Sequence, residues 1–484
     1  MTTMKHIIWM VAIALTATTW SACSNDDEPT TAEQPAQSRT YTVTTTLSPR
    51  DGGTTRSTMT DNGDGSISAT WVMGDQIRVE YKNTSDGMVE TTAEVTAVNP
   101  STKAATVTMM LTDPKDGGNI SFFYPRSFWE VTKDERTDQI GTLDDINENY
   151  AAIWCEGTMT VSNTDVTLSG LLTMVPETCI WKFSFKDGST DITSAITKLI
   201  IDFPDPQPQN HQTYTVTPTS QSTIYVSIIG NVITNRPVCI TAVTATGVYR
   251  KAAASVTMAS GTTYTTTDLA MKKAEVGKVL GADGNIYDNA TAATNAGTTA
   301  RAMITCVGSA TGEAAPYNHG LALAMSDAAN GAYENNWSTS TSSTVHAYTA
   351  SSSNVFSTES ESGLQYNNYD PDHNTDTYPA FKAAMANNGT AAPTGCSAWF
   401  LPTAYQWNQM ISACSGVLGS KTGDKTDLQN GFSNAGGTNL EGGYYWLSTE
   451  QSAQDAWRYY FGPNQDFKYD LKTSWGHVRS CLAF

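Results

Sequence analysis

The chain has 484 residues, with 28 lysines and arginines against 47 aspartates and glutamates, which gives a formal net charge of −19. Because binding to a phosphate backbone needs a basic surface, this charge excludes nucleic acid as a partner. Charged residues make up only 15% of the chain. That composition is typical of secreted β-rich proteins and disfavours long surface helices, which are rich in Glu, Lys and Leu.

The first residues carry a leader. A basic pair precedes an apolar run at residues 7–15, which predicts a signal peptide over residues 1–22. The run is shorter than the roughly 20 residues that a membrane-spanning helix needs. Ser21 and Ala22, directly before Cys23, resemble the lipobox of bacterial lipoproteins, which implies acylation of Cys23 as the first residue of the mature chain. The alternative is an ordinary secretory leader with an incidental cysteine.

An acidic, polar segment follows that cysteine. Residues 24–28 are Ser-Asn-Asp-Asp-Glu and resemble the signal that sends Bacteroides-type lipoproteins to the outer face of the outer membrane. The resemblance implies a lipid-anchored protein at the cell surface. Residues 23–39 have too little apolar content to fold, so we expect a flexible tether there.

The first half of the chain is rich in strand patterns. Polar and β-branched residues alternate in RTYTVTTTLSPR, which predicts a strand over residues 40–47. A glycine-rich loop with Arg50 and Arg56 follows. Short strand-like runs separated by Gly, Pro, Asn and Asp then continue, and this spacing predicts two β-sandwiches, over residues 40–160 and 161–273.

Two segments carry a family resemblance. TWVMGDQIRV, at residues 70–79, follows a strand and an arginine-containing loop and resembles the fimbrillin family of Bacteroidetes lipoproteins, the subunits of type V pili. SGTTYTTTDLAM, near residue 265, resembles the terminal strand of those domains. The resemblance implies transthyretin-like sandwiches and other fimbrial subunits as partners. We expect Trp71 and Ile77 to pack in the core.

The same resemblance implies a mechanism of assembly. In fimbrillins an arginine-specific protease cuts the loop after the first strand and removes that strand, and a strand from a neighbouring subunit fills the groove. Such a groove exposes apolar pockets and unpaired backbone groups together, and a donated strand satisfies both. Here residues 40–47 would be the removable strand. Arg56 is the first candidate for cleavage and Arg50 the second, against the alternative of two ordinary surface arginines.

The chain from residue 276 onward has a different pattern. TYPAFKAAMANN predicts a helix, and Thr403 can cap a second helix in AYQWNQMISAC. Aromatic-rich strands are predicted over residues 444–448, 456–461 and 477–484. The order WFLPTAYQWNQM, YYWLSTE, AWRYYF, VRSCLAF resembles the C-type lectin-like fold of bacterial surface proteins and of relatives of formylglycine-generating enzymes. We therefore expect a mostly β chain with two sandwiches and an α+β domain over residues 276–484.

The lectin-like resemblance implies long loops that present a ligand site. The sequence has none of the Glu-Pro-Asn, Gln-Pro-Asp and Trp-Asn-Asp tripeptides with which calcium-dependent members bind sugars. DPDHNTD, at residues 370–376, could gather carboxylates around a hard cation, although a solvated loop is the preferred interpretation, and we expect no metal. Four cysteines allow three disulfide pairings and suggest a stapled loop scaffold: Cys306, Cys396, Cys414 and Cys481.

Catalytic signatures are missing from the sequence. The six histidines show no His-x-His or His-Glu-x-x-His spacing, and there is no Gly-x-Ser-x-Gly elbow or glycine-rich phosphate loop. We expect no enzyme and no cofactor. Aromatic side chains offer another chemistry, because they can stack on sugar rings. Most of those near the end of the chain alternate in strands and are expected in the core, whereas Trp475 and Tyr469 are the expected exposed pair.

These features together predict a cell-surface fimbrial subunit with a lectin-like head. Because VRSCLAF is expected to close the lectin-like fold, no strand would be left to donate, which favours a tip adhesin. The ligand would be a host or bacterial surface glycan or a protein. The alternatives are a surface lipoprotein that binds carbohydrate without polymerising, and an enzyme on a formylglycine-generating scaffold.

Overall fold

Strands dominate the structure, which confirms the predicted mostly β fold. The computed structural model describes residues 38–49, 58–128, 135–170, 172–205, 211–229, 233–309, 311–328, 335–340, 362–364, 376–417, 425–462 and 466–484. The predicted signal peptide and Cys23 lie outside these residues, as do most of the predicted tether, both candidate cleavage sites and most of DPDHNTD. All contacts below lie within the unit from Thr40 to Phe484.

The first part of the chain supplies eleven strands among the described residues. They are β1 (Thr40–Pro49), β2 (Thr58–Asp61), β3 (Ile67–Thr70), β4 (Gln76–Lys82), β5 (Met88–Val98), β6 (Ala105–Thr112), β7 (Asn119–Tyr124), β8 (Glu135–Gln139), β9 (Ile153–Val161), β10 (Val166–Ser169) and β11 (Thr173–Pro176), with a helical turn α1 (Leu143–Asp145) and a π-helical turn (Ile146–Tyr150) before β9. The strand predicted over residues 40–47 is confirmed as β1.

The first sheet closes on itself. Its order is β10-β9-β11-β1-β6-β5-β4-β7, and β7 also pairs with β9. Alternate side chains of these strands point inward and form one apolar core, in which Trp71 packs edge-on against Tyr124 and Ile77 is fully buried. Strands beyond residue 160, β10 and β11, still pair in this sheet.

The second part forms another large sheet. Its strands are β12 (Thr178–Asp187), β13 (Thr190–Asp191), β14 (Ile196–Phe203), β15 (Gln212–Val216), β16 (Ile224–Ile229), β17 (Arg236–Thr244), β18 (Gly247–Val256) and β19 (Thr263–Lys273), with a 3-10 turn (Thr193–Ala195) before β14. The order is β13-β12-β19-β18-β17-β14-β15-β8, and β16 pairs with β12. Aromatic and branched aliphatic residues fill its core.

The two sheets interlock. Strand β8 belongs to the first part of the chain but pairs in parallel with β15 of the second sheet. Behind it, the buried amide of Gln139 donates to the carbonyl of Ser227 at 3.0 Å and accepts from the Ser227 N–H at 2.8 Å. Both the NH₂ group and the oxygen of this buried amide therefore have a hydrogen-bond partner. The contact fixes β8 in place.

A hairpin of β2 and β3 forms a second link. Met59, Ile67 and Ala69 of this hairpin pack with Ile180 of β12. At its tip Asp61 forms an ion pair with Lys182 and accepts a hydrogen bond of 2.6 Å from the Tyr225 hydroxyl. These contacts hold the β2–β3 hairpin, which comes directly after the arginine-containing loop, against the second sheet.

The last part is α+β. Its strands are β20 (Val279–Gly281), β21 (Ile286–Tyr287), β22 (Ala300–Val307), β23 (Gly320–Ala324), β24 (Asn335–Asn336), β25 (Tyr444–Glu450), β26 (Asp455–Tyr460), β27 (Asp466–Leu471), β28 (Trp475–Gly476) and β29 (Cys481–Ala483). The helices are α2 (Ala290–Asn295), α3 (Pro379–Ala386), α4 (Ala404–Val417) and α5 (Lys425–Ala435), with a 3-10 turn (Asn387–Gly389) after α3.

These elements pack around three short sheets among the described residues, β21-β20-β22-β23-β29, β24-β28 and β25-β26-β27. Helix α4 begins as predicted: the Thr403 hydroxyl accepts from the Gln406 N–H at 3.1 Å, and the Gln406 side chain accepts from the Thr403 N–H at 3.0 Å. Trp407 of α4 lies in the main core with Tyr445 and Tyr459. None of the helices in the described ranges combines the length and the apolar content that spanning a bilayer requires.

A buried arginine joins this part to the second sheet. Arg250 of β18 donates from Nε to the Gly284 carbonyl at 2.9 Å, and from one terminal nitrogen to the carbonyls of Thr394 and Gly395 at 2.8 and 2.6 Å. Beside it, Asn285 accepts from the Ala252 N–H at 2.9 Å. The apolar cluster around this joint also contains residues from both parts: Val248, Ala274, Leu482 and Phe484.

The predicted disulfide-stapled scaffold is not what the structure shows. Cys306, Cys396, Cys414 and Cys481 are free thiols. Three of them lie in the main apolar core with α4, and burial raises the pKa of the Cys306 thiol to about 11. Apolar packing of α4 against the sheet therefore supplies the cohesion that disulfides were expected to give.

The Asp61 ion pair predicts a pH dependence of stability. Hydrogen bonds from Lys182 and Tyr225 lower the pKa of Asp61 from 3.8 to about 2. A carboxylate with a lowered pKa contributes stability above its unfolded-state pKa and loses it as the pH falls. Asp61→Asn should therefore cost about 1 kcal/mol at pH 7, after allowance for solvent screening.

The cost of Asp61→Asn should shrink between about pH 4 and pH 2, as measured by urea unfolding at a series of pH values. Asp376→Asn is the matched control, because this carboxylate pairs with Lys382 on an almost fully exposed side chain. It should leave stability near that of the wild type. An equal cost of Asp61→Asn at pH 7 and pH 2 would contradict the assigned ion pair.

Candidate ligand-binding site

The sheet β25-β26-β27 presents two different faces. Trp457 pairs across the sheet with Tyr469, and Tyr459 pairs with Phe467. Trp457 and Tyr459 pack on the main core, so this is the inner face. Because side chains alternate along a strand, the residue between them, Arg458, points to the opposite, outer face.

Arg458 is the central charge of the outer face. Its guanidinium carbon lies 3.5 Å from the ring centre of Tyr444 and 5.6 Å from that of Trp446, and it forms an ion pair with Asp470. Arg458 is 9% exposed, and its Nε has no hydrogen-bond partner among the described residues. Stacking on aromatic rings holds the guanidinium flat, and its Nε is a buried donor that is left unsatisfied.

Next to Arg458 the surface forms a depression. Its volume is about 480 Å³, and it is open to solvent. The residues that line it are Tyr444, Arg458, Thr473, Ser474 and Trp475. Trp475 is 60% exposed. It is the most exposed of the large side chains that line the depression. An indole, a phenol ring, a guanidinium and two hydroxyl side chains thus surround one open space.

The backbone that carries Trp475 is held firmly on its N-terminal side. Lys472 is fully buried, where it forms an ion pair with Glu450 and lies 4.7 Å above the ring centre of Trp337. The Lys472 carbonyl accepts from the Ser338 N–H at 2.9 Å. A buried charge pair of this kind fixes geometry even where it adds little net stability.

The other side of Trp475 is held as well. The tryptophan pairs with Asn336 in the small β24-β28 sheet. The next residue, Gly476, lies so close to Trp446 that a Cβ there would come within 2.9 Å of the indole. Trp446 is itself fixed, since its Nε1 donates to the Asn335 carbonyl at 2.8 Å. An exposed indole therefore stands on a backbone that is anchored on both sides.

The two aromatic residues that the sequence predicted to be exposed, Trp475 and Tyr469, lie in different surroundings in the structure. Trp475 lines the depression, as described above. Tyr469 is 52% exposed but lies on the inner-face side of β27, where its ring packs edge-on against Trp457 with centroids 5.4 Å apart. Only Trp475 therefore takes part in the depression.

Four lining residues were not predicted from the sequence, and two of them, Tyr444 and Arg458, supply an aromatic ring and the charge. Both lie in runs that were expected to be core because of their aromatic content. The signal that could have found them is the alternation in AWRYYF and YYWLSTE, in which every second residue must face away from the core. Cys23, Arg50 and Arg56 lie outside the described residues.

A buried polar cluster beneath the sheet is another concentration of titratable groups. Asp327 lies 2.6 Å from the Nε of Arg479 and accepts a hydrogen bond of 2.7 Å from the Tyr445 hydroxyl. His477 stacks on Tyr445 with centroids 5.1 Å apart. Burial raises the pKa of Asp327. Its partners hold this carboxylate in a structural role, since Arg479 also donates to the carbonyls of Ala324 and Thr438.

Metal-binding groups are not gathered in the described residues. Nowhere in the described ranges do three or more His, Cys, Asp or Glu side chains lie together in a way that could hold a metal ion. The loop at residues 370–376, where a cation was considered, lies almost wholly outside those ranges.

Comparisons with known proteins give only remote likenesses. No family model and no curated protein matches the chain. Among solved structures the chain is similar to a fimbrial protein from Bacteroides ovatus ATCC 8483, at 12% identity and a TM-score of 0.35, over 90% of this chain and 99% of that protein.

Two further solved structures are candidate cell adhesion proteins. The one from Parabacteroides distasonis ATCC 8503 has 9% identity and a TM-score of 0.20, over 38% of this chain and 53% of that protein. The one from Bacteroides fragilis NCTC 9343 has 7% identity and a TM-score of 0.27, over 47% and 93% respectively. Likeness at this level does not identify a family for the chain.

The buried lysine below the depression yields a prediction. Lys472→Met leaves Glu450 buried without its cationic partner, which should cost about 3–5 kcal/mol. It should also speed amide hydrogen exchange over residues 472–477, because the backbone of Trp475 loses its anchor. The double variant Lys472→Met/Glu450→Met removes both charges and should recover most of the loss.

Lys468→Met serves as the control for this change. Lys468 pairs with Asp466 on the same sheet, but both side chains are more than half exposed. Stability and hydrogen exchange should stay near those of the wild type. If Lys472→Met behaves like Lys468→Met, the buried pair does not hold the loop.

Proposed function

We propose that the protein is a fimbrial subunit at the cell surface, anchored through lipid at Cys23 and assembled by protease-triggered strand exchange. Its last part would act as an adhesive head at the pilus tip. The observation that carries this proposal is the position of β1 in the first sheet.

Strand β1 completes the closed sheet. It pairs with β6 over eight consecutive residues, from Thr40 opposite Thr112 to Leu47 opposite Ala105, and then touches β11 through Ser48 and Pro49. Its inward residues Val43 and Leu47 are buried in the core. Loss of β1 would leave the whole edge of β6 unpaired and open the apolar positions that these two side chains fill. A donated strand with the same alternation would restore both.

The chain after β1 is attached independently. The hairpin of β2 and β3 is held to the second sheet by Asp61 and by its apolar face, as described above. A cut in residues 50–57 would therefore release β1 without loosening the hairpin. This separation of the two attachments is what a removable first strand requires.

The tip position is supported by the state of the last strand. Strand β29 pairs with β23, and Cys481, Leu482 and Phe484 are all buried. Residues 481–484 are thus occupied within their own fold and are poorly suited to be donated to a neighbour. If β29 stays in place, these residues would not serve as a donor strand, which is the basis on which we propose the tip position.

A second candidate is a surface lipoprotein that binds carbohydrate without polymerising. The exposed Trp475 beside Arg458 favours it, because this depression needs no pilus to act. We propose no catalytic role for either version, and none of the proposed contacts requires a cofactor.

Membrane attachment has a direct test. Cys23→Ala removes the only residue proposed to carry acyl chains. Several acyl chains on one residue give stable membrane binding, so the variant should leave the membrane fraction or remain unprocessed. Fractionation of cells followed by detection of the full chain measures this. Unchanged membrane fractionation would rule out the anchor.

Assembly should depend on the loop after β1. Arg50→Ala/Arg56→Ala should leave residues 23–56 on the mature chain and block entry into detergent-resistant pili, because β1 then stays in its groove. Arg39→Ala is the matched control, since a cut before β1 would not remove the strand. It should be processed and assembled as the wild type. Gel mobility and N-terminal sequencing give the processing state.

Two outcomes would count against this proposal. If the double arginine variant is processed and assembled normally, cleavage in this loop is not the trigger. If immunogold labelling places the protein along the whole shaft, the tip assignment is wrong.

A further inference from the structure

We propose that the depression formed by Tyr444, Arg458 and Trp475 binds a neutral sugar ring. The inference rests on the proposed adhesive function and gives the chemistry of its ligand. It is carried by an exposed indole on a backbone anchored on both sides, next to a buried guanidinium whose Nε has no acceptor among the described residues.

The apolar component comes from Trp475. An isolated exposed tryptophan on a mobile loop would need no explanation, but this one stands between a fully buried ion pair at Lys472 and the close contact of Gly476 with Trp446. These contacts hold the backbone of Trp475 and leave its indole in solvent. An anchored backbone lowers the conformational entropy that a ligand must remove on binding. The C–H face of a pyranose is a suitable partner for such a flat apolar surface.

The polar component comes from Arg458 and Asp470. Arg458 Nε has no hydrogen-bond partner among the described residues, and the arginine lines the depression. A buried donor without a partner costs free energy, and a ligand oxygen would recover that cost if the side chain shifted to expose Nε on binding. Asp470 beside it can accept from a hydroxyl. Together the pair offers a donor and an acceptor, as neighbouring sugar hydroxyls require.

Charge favours a neutral ligand over an acidic one. Arg458 is already compensated by Asp470, and Lys468 on the same face is compensated by Asp466. An anion would have to compete with these carboxylates, and the whole chain carries a net charge of −19. A neutral sugar meets no such penalty.

Size and openness also fit a sugar. The depression measures about 480 Å³, within the range of about 300–1,000 Å³ that is common for small-molecule sites. It is open to solvent, so a ring at the end of a longer glycan can enter while the remainder of the glycan stays outside. A protein ligand would need a broader apolar surface around Trp475, whereas its immediate neighbours Thr473 and Ser474 are hydroxyl residues.

The test applies the full chain to an array of glycans that end in galactose, glucose, mannose, fucose or N-acetylglucosamine, together with sialylated counterparts. The wild type should bind at least one neutral glycan. Trp475→Ala should weaken that binding about tenfold or more, and Trp475→Phe, which keeps an aromatic ring, should weaken it less. Tyr469→Ala is the matched control, since Tyr469 is similarly exposed on the other face, and it should bind as the wild type.

Four results would overturn the inference. They are no binding to any neutral glycan, equal binding by Trp475→Ala, binding to sialylated glycans alone, and binding to carrier proteins on the array instead of to glycans. The array needs no pilus, so its result is separate from that of the assembly experiment. Sugar binding with normal assembly of the double arginine variant would reject only the assembly mechanism.

Discussion

The guanidinium of Arg250 is the interaction on which the arrangement of the chain depends. A buried arginine is stable only where acceptors surround it, and here the acceptors are backbone carbonyls of Gly284, Thr394 and Gly395. These residues lie in two separate turns of the last part of the chain, so one side chain of the second sheet fixes both. Asn285 continues the contact by pairing with the backbone of Ala252. The joint is therefore specific in position, and the depression at Trp475 has a fixed direction relative to the second sheet.

Local signals in the sequence were sufficient for the elements that depend on local interactions. Alternation predicted β1, and the Thr403 capping position predicted the start of α4. Among the features that were missed are helix α5, strand β27 and the pairing of β8 with β15. Helix α5 (Lys425–Ala435) is polar and contains Gly431, so its pattern is weak, and it is stabilised by contacts of Leu428 and Phe432 with the main core. The pairing of β8 with β15 joins residues far apart along the chain, and no local pattern encodes such a partner.

The candidate site shows the same limit. Sequence selected Trp475 and Tyr469 together, because both lie in a segment with little regularity. Their separation follows from the register of β26 with β27, which sets Tyr469 opposite Trp457. The contribution of Arg458 was hidden for a related reason. Its neighbours Trp457 and Tyr459 are core residues, and only the assignment of inner and outer faces shows that the arginine between them faces Tyr444. The types of residue in the site could be read from the sequence. The face of the sheet on which each side chain lies depends on strand pairing, which only the structure shows.

The antiparallel ladder between β1 and β6 has a mechanical consequence. Force along the axis of a strand loads every hydrogen bond of its ladder at once, whereas force across one end breaks the bonds in turn. The chain enters β1 at Thr40 and runs along β6 for eight residues before it reaches Ser48. Tension applied through the preceding residues, in line with β1, therefore acts on the ladder in shear, the direction in which a strand is hardest to pull out. A ladder of this geometry resists a pull along β1 more strongly than a pull across one of its ends.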